Sequence, residues 1–147
     1  MGKHPLPEKH HNQRLYVDEI LVDQVEYVPI EVLSPYRGHA RKHPKRQLKA
    51  LERGIAAFGF IVPVLVGEDG EVVAGHARVL VANQLGYTKV PVIRLPHLSP
   101  AQIRAFRLAD NKLAELSEWD EDKLALELRD LIEIDFDVDL TGFEVAE

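Results

Sequence analysis

The most informative segment of the sequence is Glu71-Val72-Val73-Ala74-Gly75-His76-Ala77-Arg78-Val79-Leu80, because it passes from a β-strand through one glycine into a helix. Residues 71–74 are rich in β-branched side chains, which favours a strand. The residues after Gly75 place Leu80, Val81 and Leu85 on one helical face before Gly86, which predicts a helix over residues 76–85. The helix therefore begins where the strand ends.

The junction at Gly75 has the features of a phosphate site. A helix amino terminus presents unpaired N–H groups and the positive end of the helix dipole. Gly75 lets a ligand approach the backbone closely, His76 lies at the mouth of the helix, and Arg78 offers a planar fork suited to phosphate. Strand-glycine-helix turns are common, however, so a solvated helical Arg78 is the alternative.

The residues around this junction predict a compact α+β domain with helices packed on a small sheet. An edge strand over Val25–Leu33 contains Pro29, and a helix over residues 44–58 ends at Gly59. A β-hairpin follows, with strands over Phe60–Val66 and Glu71–Ala74. After the central helix we expect one strand and two helices, at Val90–Leu95, Ser99 to about Leu116, and Asp120–Leu131.

Composition limits the classes of function. The 147 residues include no cysteine, which excludes disulfides, thiolate zinc sites and cysteine chemistry, and favours a reducing cytoplasm. Residues 1–7 lack the apolar core of a signal peptide and no apolar run reaches the roughly 20 residues that span a bilayer, so we expect a protein without membrane contact. The histidines of the polar amino-terminal tail are expected to be solvated, although metal binding is an alternative; they are His4, His10 and His11.

The charge is distributed unevenly, although the formal net charge is −6. Residues 37–53 are basic and residues 115–147 are acidic. A basic helix could contact DNA phosphates non-specifically, and a solvated basic face is the alternative. The residues concerned are Lys42, Lys45, Arg46, Lys49 and Arg53. The alternation of Asp135, Asp137 and Asp139 with apolar residues predicts an edge strand or a partner-binding segment.

Three ordered motifs resemble those of the ParB/sulfiredoxin superfamily: Ser34-Pro35-Tyr36-Arg37-Gly38-His39-Ala40-Arg41, Gly59-Phe60-Ile61-Val62-Pro63-Val64-Leu65-Val66 and Ala74-Gly75-His76-Ala77-Arg78. The segment Leu108–Ala114, followed by Trp119-Asp120, is similar to ParB-like domains of phages and mobile elements associated with DNA methyltransferases. The resemblance implies a ParB/sulfiredoxin-like fold over residues 25–98. A flexible tail (1–24) precedes it, and a helical extension (99–133) and an acidic tail (134–147) follow.

The resemblance also implies a site. In ParB proteins a Gly-Glu-Arg-Arg turn holds the triphosphate of CTP, and a later Glu-Asn pair helps to hold magnesium. At the positions that match the family's motifs, the residues implied to bind phosphate are Gly75, His76, Ala77 and Arg78, with Arg41 and Lys112 as further contacts. The residues implied to hold Mg²⁺ are Asp110 and Asn111. Carboxylate and amide oxygens suit magnesium. From the residues alone, a solvated helix face is the favoured interpretation of residues 110–112, and the resemblance reverses that preference.

Differences from the family's motifs limit the activities that are expected of this chain. His76 replaces the family's glutamate, so binding without efficient turnover is expected, with His76 as a candidate acid or base. Without cysteine the chain is not a sulfiredoxin. Ala74 stands where the family's serine kinases have an acidic residue. The chain is also expected to be too short for the helix-turn-helix domain of partition proteins, which leaves no sequence-specific DNA reader.

The sequence therefore predicts a nucleotide-binding ParB-like domain in DNA metabolism. CTP or ATP with Mg²⁺ is the expected ligand, and DNA, a DNA methyltransferase and a second copy of the chain are the expected partners. The alternatives are a magnesium-dependent nucleotide hydrolase or small-molecule kinase, and an interaction module that has lost its ligand. No cluster of carboxylates is spaced for the metal-assisted cleavage of a nuclease.

Overall fold

The computed structural model describes residues 22, 24–38 and 42–144, which form a small sheet with helices around it. The strands are β1 (Glu26–Pro29), β2 (Val64–Val66), β3 (Val72–Ala74) and β4 (Lys89–Arg94). The helices are α1 (Lys45–Phe58), α2 (His76–Gln84), α3 (Pro100–Leu116) and α4 (Glu121–Glu133), with short 3₁₀ helices at Ile30–Val32 and Val138–Thr141. The order of elements along the chain confirms the α+β prediction.

The four strands form one mixed sheet in the order β1-β4-β2-β3. β1 is antiparallel to β4, β4 is parallel to β2, and β2 is antiparallel to β3. The β2–β3 pairing confirms the predicted hairpin, and its register shifts between Leu65 and Val66. Pro29 ends an edge strand, as expected for a residue that lacks a backbone donor.

The chain crosses from one edge of the sheet to the other directly after β1. Ser34 bridges to Glu71 beside β3, at the opposite edge. The Ser34 N–H donates to Gly70 O at 3.0 Å, and the Val72 N–H donates to Ser34 O at 2.9 Å. This crossing brings Tyr36 close to the start of α2.

The core lies between the sheet and the helices and consists largely of valine. Its buried members are Val28, Val64, Val66, Val72, Ala82, Val90 and Val92. α1 packs against α2, α2 contacts β2, and α3 contacts β3. β-branched side chains on both faces of short strands give this small sheet its apolar content.

Three predicted details of the sheet and of α2 were wrong. The edge strand expected over Val25–Leu33 is confined to Glu26–Pro29, because the chain turns into a 3₁₀ helix at Ile30–Val32. The strand expected over Phe60–Val66 is confined to Val64–Val66, because Ile61 is 73% exposed and makes no ladder pairing. Leu80 was expected on the buried face of α2 but is 44% exposed. α2 instead buries Ala77, Val81 and Ala82, and these small side chains let the helix lie close to the sheet.

The carboxy-terminal helices begin where the capping signals predict. Ser99 and Gln102 form a capping box at α3, and the Asp120 side chain accepts a hydrogen bond from Lys123 N at 3.1 Å. Between residues 134 and 144 a 3₁₀ helix forms, and the edge strand predicted there is absent from this described stretch. This 3₁₀ helix packs against both α1 and α4.

Some sequence predictions lie outside the described residues. They include the tail histidines, Arg41 and almost all of the tail over residues 1–24. In the part of the chain that the structure describes, none of the helices has the length and apolar character that crossing a membrane requires.

Candidate phosphate-binding site

Gly75 connects β3 to α2 in a conformation that only glycine adopts readily. Its φ is 103° and its ψ is 21°, and it caps α2 without a side-chain hydrogen bond. A Cβ atom at this position would lie 2.9 Å from Nη2 of Arg78. A larger residue would therefore strain the backbone, and its Cβ atom would displace the Arg78 guanidinium.

Replacing this glycine tests both effects. Gly75→Ala is expected to lower the free energy of unfolding by about 1–3 kcal/mol, because the backbone would be strained and Arg78 displaced. Gly54→Ala is the matched control, since Gly54 lies inside α1 and an added methyl group would meet no neighbouring atom within 4 Å. The control is expected to raise the free energy of unfolding by roughly 0.5–1 kcal/mol. Urea denaturation measures both, and equal shifts would contradict this account of Gly75.

Arg78 is folded back onto Gly75 and is largely buried. Its Nη2 donates a hydrogen bond to Pro63 O at 3.0 Å, and its Nε is buried without a hydrogen-bond partner among the described residues. Burial lowers the pKa of Arg78 below its ordinary value, and the negative charge of Asp110 acts in the opposite direction. An anion bound at this guanidinium would compensate for the hydration that the group loses on burial.

His76 connects the turn to the segment that crosses the sheet. The backbone N–H of Tyr36 donates a long hydrogen bond, 3.4 Å, to Nε2 of His76. An acceptor Nε2 carries no proton, so the neutral ring would hold its proton at Nδ1. A catalytic role at Nε2 would require this hydrogen bond to break first.

Arg107 on α3 is a buried residue that sequence reasoning missed. It is 8% exposed, and its guanidinium lies over the ring of Tyr36, with Cζ 3.6 Å from the ring centroid. Its Nη2 donates to Glu71 Oε1 at 2.9 Å and to Val72 O at 3.0 Å. The available signal was its helical spacing from Ile103 and Asn111, which are also partly buried.

A cavity of about 390 Å³ brings the turn together with the predicted magnesium residues. Gly75, His76, Ala77 and Arg78 line it from one side, and Asp110 and Asn111 from α3. The Asn111 Nδ2 donates to Arg107 O at 2.9 Å, which leaves Oδ1 as the amide's acceptor toward a ligand. Two segments more than thirty residues apart in sequence thus meet at one site, as the resemblance implies.

A second cavity of about 590 Å³ adjoins the first, with which it shares Val73 and Asn111. Lys112 lines this second cavity rather than the first, and its Nζ lies 3.5 Å from Glu115. Lys42 and Arg104 also line it. The structure therefore places Lys112 beside the site of Gly75 and Arg78 but not within it.

The other predicted DNA contacts lie on α1, outside both cavities. Lys45, Arg46, Lys49 and Arg53 are all exposed. Arg46 pairs with Glu144, and Arg53 Nη2 lies 3.8 Å from carboxylate oxygens of Asp137 and Asp139. The basic helix thus contacts the acidic carboxy-terminal segment. Within the described residues, no group of three or more His, Asp or Glu is arranged to hold a metal ion.

Family comparison identifies the fold. The model of the ParB N-terminal domain matches residues 16–112. The chain belongs to the ParB N-terminal domain family. Its ParB-like domain is 43% identical over 79 residues to the ParB-like nuclease domain-containing protein YnaK of Escherichia coli (strain K12), covering 54% of this chain and 91% of that protein.

Two further relatives extend the likeness. The ParB-like chain is 27% identical over 100 residues to the nucleoid occlusion protein of Bacillus cereus (strain AH187), covering 65% of this chain but only 34% of that protein. It superposes with a TM-score of 0.68 and 20% identity on the C-terminally truncated chromosome-partitioning protein ParB from Caulobacter crescentus complexed with CTP-gamma-S. That match covers 82% of this chain and 69% of the other, and confirms the fold.

One expectation requires correction. Residues 122–147 match the model of the ParB-methyltransferase HTH domain, whereas the sequence interpretation found no helix-turn-helix segment. In the described part of this stretch only α4 and one short 3₁₀ helix are formed. Helical spacing alone therefore did not distinguish the segment from an ordinary helical extension.

Proposed function

We propose that this ParB-like domain binds a nucleoside triphosphate with Mg²⁺ and acts on DNA in that bound form. The observation that carries the proposal is the cavity in which the amino terminus of α2, Arg78 and the Asp110–Asn111 pair face one another. A glycine-led helix start with an adjacent arginine suits a phosphate chain. Arg41 remains a further phosphate contact in this proposal.

The dimensions of the site suit a nucleotide. Ligand cavities commonly measure about 300–1,000 Å³, and the two adjoining cavities measure about 390 and 590 Å³. Because they share Val73 and Asn111, a ligand whose phosphates lie at Gly75 can extend past Asn111. Lys112 would then meet the part of the ligand that lies in the second cavity.

Magnesium fits the oxygen atoms available. Asp110 provides a carboxylate, and Asn111 provides an amide oxygen. The side-chain nitrogen of Asn111 already donates a hydrogen bond to Arg107 O. Magnesium is usually held by one or two protein oxygens, with phosphate oxygens and water completing the octahedron. The bound ion would neutralise phosphate charge beside Asp110.

Binding is favoured over turnover. The Nε2 atom of His76 already accepts a hydrogen bond from Tyr36 N, so it is occupied in the free protein. A hydrolase or kinase would need a base within reach of the attacking group. The family's Caulobacter member was solved with CTP-gamma-S, which supports CTP as the first nucleotide to test.

A role on DNA is supported by two features. Residues 122–147 are similar to a ParB-methyltransferase HTH domain, and α1 exposes a row of cations. A helix-turn-helix reads bases, whereas exposed lysines and arginines contact phosphates. A DNA methyltransferase is the protein partner that this similarity favours.

Calorimetric titration with CTP, ATP and GTP tests nucleotide binding. Asn111→Ala is expected to weaken binding in magnesium roughly 10- to 100-fold, because a metal ligand is lost. Asn83→Ala, on the exposed surface of α2, is the control and should bind like the wild type. With magnesium chelated, Asn111→Ala and wild type should bind equally. Absence of binding to all three nucleotides by the wild type would overturn the proposal.

A further inference from the structure

The carboxy-terminal part of the described chain carries five acidic residues and no Lys or Arg. This acidic segment, residues 133–144, consists of the last residue of α4, the 3₁₀ helix and the turns around it. Its acids are Glu133, Asp135, Asp137, Asp139 and Glu144. Three of them contact α1: Glu144 pairs with Arg46, and Asp137 and Asp139 each lie 3.8 Å from Arg53.

The surface of α1 that they contact is a continuous row of cations. Residues 45, 49 and 53 repeat at steps of four, and residue 46 lies three before 49 and seven before 53. Side chains at these spacings share one helical face. All four are exposed; Lys49 lies between the two arginines, and Lys45 extends the row at its amino-terminal end. We define these four residues as the α1 basic face.

We propose that the acidic segment is an intramolecular competitor that covers the α1 basic face until duplex DNA displaces it. The inference rests on the DNA part of the proposed function and not on nucleotide binding. Carboxylates at alternate positions, Asp137 and Asp139, meet one arginine as neighbouring phosphates would. The segment therefore provides to α1 the same kind of charge as a DNA backbone.

The exposure of these ion pairs makes them displaceable. The side chains of Arg46 and Glu144 are 76% and 79% exposed, and those of Arg53, Asp137 and Asp139 are 52–65% exposed. Ion pairs this exposed are weak and screened by salt. Duplex DNA presents one negative charge about every 1.7 Å along its axis, which is denser than five acids in a folded segment. DNA therefore wins the competition at low salt.

The acidic segment also packs against Trp119, the only tryptophan of the chain. Phe143 packs edge-on against Trp119, with ring centroids 5.2 Å apart. Displacement of the segment would separate these rings. Trp119 fluorescence therefore reports where the segment lies, independently of any DNA-binding measurement.

The first test compares DNA affinities by fluorescence anisotropy. The double variant Asp137→Asn, Asp139→Asn is expected to bind a mixed-sequence duplex about 2- to 10-fold more tightly than wild type in low salt, with the gain shrinking as salt rises. Asparagine at 137 preserves the cap that Asp137 gives to Asp139 N. The double variant Glu31→Gln, Glu118→Gln removes the same charge from exposed positions outside both the acidic segment and the HTH-like stretch, and should gain little. Equal gains in both variants would overturn the proposal.

The second test follows Trp119 in the unlabelled wild-type chain. Its emission is expected to change on addition of DNA, in step with the anisotropy, toward that of Phe143→Leu without DNA. DNA binding that leaves the emission unchanged overturns the proposal, and so does failure of every variant to bind DNA. Nucleotide titrations of the same proteins are expected to match wild type, so failure here is distinguishable from failure at the cavity.

Discussion

Arg78→Ala is expected to weaken nucleotide binding by about two orders of magnitude, the largest effect on binding that we predict. The guanidinium lies against Gly75 at the start of α2, where a phosphate would be its counter-ion. Alanine removes the charge and also the hydrogen bond to Pro63 O that holds the side chain in place. Calorimetric titration with the nucleotide that the wild type binds measures the loss.

Two further variants separate charge from geometry at this position. Arg78→Lys keeps a positive charge but not the planar fork, so we expect it to recover little of the affinity. Arg129→Ala removes an exposed arginine from α4 and should leave binding unchanged. Thermal unfolding of each variant establishes that the fold is retained. Full binding by a folded Arg78→Ala protein would show that the phosphates bind elsewhere.

Arg107→Leu is expected to lower the free energy of unfolding by roughly 3 kcal/mol, the largest effect on stability. The substitution leaves the buried Val72 O without its donor and Glu71 without its cation. It also removes the guanidinium from the ring of Tyr36, 3.6 Å away. Equilibrium denaturation in urea, with the midpoint and slope both fitted, measures the change.

The neighbouring arginine on the same helix provides the matched control. Arg104 is exposed, lies one turn before Arg107, and lines the second cavity. Arg104→Leu should change the free energy of unfolding by no more than about 0.5 kcal/mol. If the two variants proved equally stable, the contacts of Arg107 would contribute nothing beyond those of a surface residue.

Much of the fold could be predicted because its signals are local. Ser99 with Gln102, Asp120, and the glycines at 59, 75 and 86 each mark a helix boundary through the residue's own backbone or a neighbour within three positions. The alternation of strand and helix then fixed the α+β class. That Gly75 and Asp110 lie at one site could be predicted only from the family resemblance, since no local sequence pattern relates them.

The remaining features depend on contacts between distant parts of the chain. Tyr36 meets His76 forty positions away and stacks on Arg107, while Arg53 meets Asp137 across most of the chain. Periodicity shows which face of a helix is apolar but not what the other elements present to it. For the same reason periodicity did not show that Lys112, expected as a further phosphate contact, lines the adjoining cavity.

The hydrogen bond from Arg78 to Pro63 O also means that a residue away from the ligand can influence the affinity for it. A surface arginine loses rotamer freedom when it clasps a ligand, whereas Arg78 loses that freedom when the protein folds. The side chain is thus preorganised, and its ordering does not subtract from the affinity for an incoming ligand. Substitutions that make the backbone at Pro63 more mobile would touch no ligand. They would still lower the affinity, because Arg78 would then lose its rotamer freedom on binding instead of on folding.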